Sequence, residues 1–167
     1  MTNTLATWFA GHLGQVMPAE LVIFIVSLLP ILECRGGLIV ASLLGVKMWT
    51  AIPICVLGNV IPVPFILFLI RKVFAFCRRF KALRPIIDKL EDRAMKKSDS
   101  VAKGEFLGLL LFVGVPLPGT GAWTGSLIAA LLGIDRRKAI VAILLGVALA
   151  CFIMTVFSYG FLANVVG

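Results

Sequence analysis

Six stretches of this chain, 21–32, 38–46, 50–70, 106–118, 127–134 and 139–163, contain no Lys, Arg, Asp or Glu. Such runs belong in hydrocarbon, where unpaired backbone is costly and only helices or closed barrels can cross. Mean hydropathy is +1.08 and 14% of residues are charged, too little polar surface for a soluble domain. The chain therefore reads as an all-α, multi-pass integral membrane protein. Yet two apolar regions are broken. LPILECRGG (29–37) and GVPLPGTGAWTG (114–125) put proline and glycine where a membrane helix prefers leucine, and the first adds Glu33 and Arg35.

The two breaks are related. Shifting the chain by 88 residues places 21–60 on 109–148 with thirteen identities in forty gapless positions. Apolar composition alone gives roughly four or five. The matches include Pro30/Pro118, Gly37/Gly125, Gly45/Gly133 and Gly58/Gly146. Each unit has one plan: an apolar arm, a break, a second arm, a short polar turn (46–50 or 134–138) and a long span. The spans cover about 50–70 and 139–163.

Length and charge decide how the broken segments sit. Residues 17–45 and 105–133 are 29 residues each, whereas two full crossings need about 40. Each is one kinked crossing or one re-entrant hairpin. Of sixteen Lys and Arg, eleven fall between Arg71 and Lys103 and three at Arg136–Lys138. Single crossings would put these clusters on opposite faces; re-entrant hairpins put both on the cytoplasmic face, as the positive-inside rule favours. The expectation is an inverted repeat within one membrane domain, 1–167. Repeat one is 1–70 with its hairpin at about 17–45. A cytoplasmic basic linker, 71–104, follows. Repeat two is 105–167 with its hairpin at about 105–133. The 71–103 loop and 135–138 turn then face the cytoplasm, and the plasma (inner) membrane is the expected location. Because the basic clusters abut membrane segments, nucleic acid is not an expected partner.

Other features are less informative. Residues 1–17 lack a signal-peptide pattern and suit an interfacial helix anchored by Trp8. Residues 71–97 repeat apolar residues at helical spacing, with a break expected at Arg84–Pro85, and read as an amphipathic helix on anionic headgroups. Cys34, Cys55, Cys77 and Cys151 show no paired spacing and read as free thiols. His12 reads as interfacial. No metal or cofactor motif and no nucleophile–base pair is evident, so no enzyme activity is expected.

ECRGG (33–37), GNVIPVPFIL (58–67) and VPLPGTGAWTG (115–125) resemble the putative small multidrug export protein family, related to the DedA, or VTT-domain, superfamily. The likeness covers nearly the whole chain. Glu33, Arg35 and Gly36 match the family's Glu-x-Arg-Gly-x-Ile-Pro pattern, with Val40 where proline is usual. The superfamily resemblance implies two re-entrant hairpins facing each other, and transport linked to undecaprenyl-phosphate recycling or proton-dependent drug resistance.

The residues themselves suggest roles. Intramembrane charge is a functional candidate by default. Glu33 is a candidate proton carrier, and Arg35 a bidentate partner for a phosphate or carboxylate. The aligned positions in unit two are Gly121 and Trp123. There Thr120 is expected to cap a restarting helix whose N–H groups face the site, with Thr124 nearby. Pro30, Gly36, Gly37, Asn59, Pro62, Pro116, Pro118, Gly119 and Gly125 are the expected breaks and close contacts, with Asn59 bonding a hairpin tip or its own helix. The leading expectation is a transporter or flippase for an anionic amphiphile, possibly proton-coupled, such as a polyprenyl-phosphate lipid carrier. The rivals are a proton-coupled small multidrug exporter, for cationic or amphipathic drugs, and a non-transporting membrane scaffold. Membrane lipids and a second copy of the chain are the expected partners, the latter to cover broken backbone.

Overall fold

A computed structural model describes residues 17–81, 83–96 and 104–162. The expected N-terminal interfacial helix with Trp8 and His12, most of the 96–105 linker and the last residue of the second span lie outside the described residues. Every described element is helical. Repeat one holds α1 (Ala19–Leu28), α2 (Glu33–Leu43) and α3 (Met48–Val60), which continues into α4 (Pro62–Cys77). Then come α5 (Arg84–Lys96), α6 (Glu105–Gly114), α7 (Ala122–Leu132) and α8 (Arg136–Thr155), which ends in a π-helical turn, Val156–Leu162.

The polar turn between second arm and span is built identically in both units. Gly45 (φ 69°) and Gly133 (φ 74°) occupy the left-handed region that ends a helix. Val46 N–H bonds Ala41 O at 2.9 Å, and Ile134 N–H bonds Ala129 O at 3.0 Å. These are the same bonds 88 residues apart. Asp135 then caps α8, accepting from the Arg137 and Lys138 amides at 3.1 Å each.

Packing repeats as well. α1 lies against α2 and α3, and α6 against α7 and α8. Gly58 and Gly146 allow the first arm of each unit to approach its span. A Cβ at Gly58 would lie 2.8 Å from Phe24 O, and one at Gly146 would lie 2.8 Å from Leu110 O. Between units, α8 packs on α2 and α3, while α4 and α5 pack on α7. The core is apolar and spans both units, with Ile23, Val26, Leu38, Leu109, Val113, Ile128 and Ile143 sealed from solvent.

Among the described residues, two elements are long and apolar enough to cross a membrane: Met48–Cys77, 30 residues, and Arg136–Gly160, 25 residues. At 1.5 Å per residue they reach about 45 and about 37 Å, beyond the roughly 30 Å hydrocarbon layer. Their outer faces carry large apolar side chains in the open, among them Trp49, Phe65 and Phe152. The first span is longer than the expected 50–70. The helical assignment lapses only at Ile61, whose N–H still reaches Leu57 O at 3.1 Å, so Pro62 heads α4 without ending the rod. Asn59 is buried, but neither expected bond forms, and its Oδ1 has no hydrogen-bond partner.

Three further expectations change. Gly36, Gly37 and Gly125 lie inside α2 and α7 and serve as contact surfaces. With Val40 in place of proline, α2 runs without interruption from Glu33 to Leu43. Residues 71–97 part next to the expected Arg84–Pro85 break: 71–77 prolong α4, and α5 begins at Arg84 and turns back beside α7, with Arg78 paired to its Glu91 and, at 3.3 Å, to its Asp88.

The glycine contacts give a direct test. Gly146→Ala drives a methyl into Val113 Cβ and the Leu110 carbonyl, and overpacking of this kind costs about 1–3 kcal/mol. We expect a clear drop in thermal stability in detergent. Gly104→Ala, where a Cβ meets nothing within 4 Å, should leave the melting curve unchanged.

Candidate functional site

Each helix break strands backbone groups: the last carbonyls of the first arm and the first N–H groups of the second. The two units satisfy these groups for each other. In unit one α1 stops at Leu28 and α2 begins at Glu33; in unit two α6 stops at Gly114 and α7 begins at Ala122.

Glu33 reaches across to the start of α7. Its Oε2 accepts from Ala122 N–H at 3.2 Å and its Oε1 from Trp123 N–H at 3.1 Å. The carboxylate sits on the positive end of that helix and is only 4% exposed. It takes the part expected of Thr120: the N-cap residue is Gly121, and no side chain from that position caps α7. Thr120 instead donates into its own break, with Leu117 O at 2.9 Å and Val115 O at 3.0 Å from its Oγ1.

Arg35 serves the other stranded end. Its Nη1 donates to Leu117 O at 2.7 Å, and its Nη2 lies 3.2 Å from Val113 O, 3.3 Å from Val115 O and 3.1 Å from Thr120 Oγ1. The guanidinium thus gathers the loose carbonyls that follow α6. Trp123, aligned with Arg35 in the repeat, does the reciprocal job: its indole N–H donates to Leu28 O, the last carbonyl of α1, at 3.2 Å.

The aligned positions 33 and 121 share a backbone feature. Gly121 has φ 137°, and Glu33 is the one non-glycine described residue with positive φ, at 52°. Glycine adopts this region freely; glutamate pays about 1 kcal/mol or more. A side chain at 121 would overlap the Glu33 carboxylate. One unit therefore supplies a strained carboxylate and the other the space it needs.

A third exchange joins the far ends. Arg71 donates to Leu131 O at 2.9 Å, near the end of α7, and Arg136 lies 4.8 Å over the Phe68 ring. Tyr159, 88 residues after Arg71, donates to Val46 O at 2.7 Å beyond the end of α2, and Ser42 donates to Ser158 O at 2.9 Å.

Where the breaks meet, a cavity of about 1110 Å³ opens. Glu33, Arg35, Thr120 and Thr124 line it, together with Pro30, Pro116, Pro118 and Gly119 of the breaks. Of the sequence-derived candidates, Gly121 and Trp123 stand behind this wall as supports. Sequence reasoning missed Leu90, Arg93 and Lys96, which α5 contributes to the lining. Their three-residue spacing puts them on one helix face, but no sequence signal says that α5 folds back onto the breaks.

The cross-capping makes unequal demands on its two donors. Arg35→Met leaves several carbonyls without a donor, and we expect a loss of about 2–3 kcal/mol, the scale of hydrogen bonds to a charged group. Trp123→Phe keeps the ring and removes one neutral bond, costing about 1 kcal/mol. Thermal denaturation of the two variants in detergent checks the order.

No curated protein and no solved structure matches the chain. Residues 33–153 match the family described as "Putative small multi-drug export protein". That stretch begins at Glu33, at the far edge of the first break, and takes in the second break, α5 and most of α8; with the apolar spans it marks a membrane protein of the export type. The chain belongs to the putative small multi-drug export protein family.

Proposed function

We propose that this protein is a membrane transporter whose two helix–break–helix units are re-entrant hairpins, inverted relative to each other, with the substrate held between their tips. The observation that carries this reading is the cavity at the meeting of the two breaks, lined by a buried carboxylate and a guanidinium. The arm helices have 10 or 11 residues, or about 15–17 Å, roughly half the hydrocarbon thickness. The contacts of Arg71 and Arg136 put these two members of the basic clusters at one end of the bundle, while Tyr159 meets the Lys47 turn at the other. That arrangement supports a cytoplasmic 71–103 loop and 135–138 turn in an inner membrane. Exchange of contacts between positions 88 apart supports an inverted repeat of the kind secondary transporters use, and so does the resemblance to the DedA superfamily.

The substrate we propose is an amphiphile with an anionic or phosphate head, such as a polyprenyl-phosphate lipid carrier. Arg35, Arg93 and Lys96 stand against the single carboxylate of Glu33 around the cavity, a balance that disfavours the cationic drugs of the rival exporter reading. Ile39, Leu127 and Ile153 offer apolar wall for a tail. Glu33 is the proposed coupling site. As a carboxylate it accepts both α7 amides; a proton on it removes acceptor strength and loosens one unit from the other. Rocking of the units about that contact would expose the cavity to each face in turn. A second copy of the chain would cover part of the open apolar flank. In this reading the protein moves its substrate without chemical change.

Two measurements test the proposal. In a background without native thiols, Trp49→Cys (77% exposed), in the first polar turn, and Arg137→Cys (exposed), in the second, should react with impermeant reagents from opposite faces, outside and inside respectively. Labelling of both from one face would overturn the inverted arrangement. In reconstituted vesicles, Glu33→Gln should abolish transport driven by a proton gradient. Full transport by this variant would remove Glu33 from the mechanism.

A further inference from the structure

The groups that sequence logic assigns to the substrate anion are already engaged. Arg35 spends both terminal nitrogens on Val113 O, Val115 O, Leu117 O and Thr120 Oγ1. The first amides of α7 are held by Glu33. An anion could claim either set only by uncapping a helix end, at the cost of the groups left stranded. The cavity nevertheless contains two cations with no such duty. Arg93 and Lys96 line it from α5, are exposed, and have no ion-pair partner among the described residues. Of the acidic residues of α5, Asp88 and Glu91 are drawn to Arg78, and Asp92, exposed one turn before Lys96, is not part of the cavity lining.

We propose that Arg93 and Lys96 form the headgroup clamp, and that α5 is a component of the transport site. The proposal rests on the anionic-amphiphile reading and assigns its recognition to different residues. Side chains three apart on a helix are neighbours, about 5–6 Å between Cβ atoms, a spacing that lets one phosphate head take donors from both. The guanidinium offers a planar fork and the ammonium a compact charge. Leu90, one turn earlier on the same helix, lines the same cavity. The clamp therefore sits beside apolar wall that suits an alkyl tail. α5 is held in place by packing on α7, with Ile87 buried, and by the Arg78 pairs at its start. Arg35 then acts as a positioning residue, which shapes the cavity by holding the second break in form.

The test uses purified full-length protein in nanodiscs of zwitterionic lipid, with radiolabelled dodecyl phosphate as the probe and empty nanodiscs as background. Saturable binding is expected for the unmodified protein. Arg93→Gln with Lys96→Gln should weaken it at least tenfold, while the charge-conserving pair Arg93→Lys with Lys96→Arg should stay within threefold. These side chains are exposed, so an unchanged melting temperature is expected for both pairs and separates recognition from folding. Binding by the neutralised pair within twofold of the unmodified protein overturns the clamp and leaves the substrate reading standing. No saturable binding of dodecyl phosphate by the unmodified protein overturns the substrate reading and the clamp with it. Inorganic phosphate that competes as strongly as dodecyl phosphate itself overturns the amphiphile assignment, because the tail would then contribute nothing.

Discussion

A broken helix leaves polar backbone groups without partners of its own, and the whole architecture follows from how that backbone is satisfied. Neither unit can do it alone. Glu33 supplies acceptors for the amides that open α7, Arg35 supplies donors for the carbonyls that follow α6, and Trp123 returns the favour at the end of α1. The breaks must therefore meet, and the cavity exists where they meet. Charge in the interior is expensive when unpaired. Here each ion is matched to a helix end of opposite partial charge, which offsets much of that cost.

This changes what the charged pair means. Glu33 and Arg35 lie two residues apart and might be taken for an ion pair or a ligand pair. Their hydrogen bonds go instead to opposite ends of one break, 78 to 90 residues away in sequence. The pair works as a splice across a gap in the other unit. A splice that can be undone by a proton at one end is a natural point for coupling in the mechanism proposed above, because the same atoms hold the structure and would sense the ion.

The sequence made much of this legible. The duplicated Pro and Gly positions located both breaks, Gly45/Gly133 located both turns, and Gly58/Gly146 located the tight approach of arm to span. These are backbone requirements, and glycine and proline record them directly. Side-chain partners were not legible. Thr120 has the composition of an N-cap, yet a carboxylate 87 positions earlier in the chain holds the helix start. Asn59 carries hydrogen-bonding groups into the core without the partners its chemistry suggests. The most consequential gap was α5. Its amphipathic pattern describes a helix on a boundary, and that pattern is the same whether the boundary is a lipid surface or the wall of a cavity. The fold-back of α5 depends on packing against α7, which is a tertiary fact with no local signature.

The positive φ at both of the aligned positions 33 and 121 has one more consequence. Two identical inverted halves would have two end states of equal energy, one open to each face. This chain puts a strained, charged residue in one half and glycine in the other. In the proposed inverted arrangement that difference removes the degeneracy. The two openings become unequal in energy, so the resting protein favours one face. The preference starts from one pair of aligned residues, while the gradients across the membrane still set the direction of net transport.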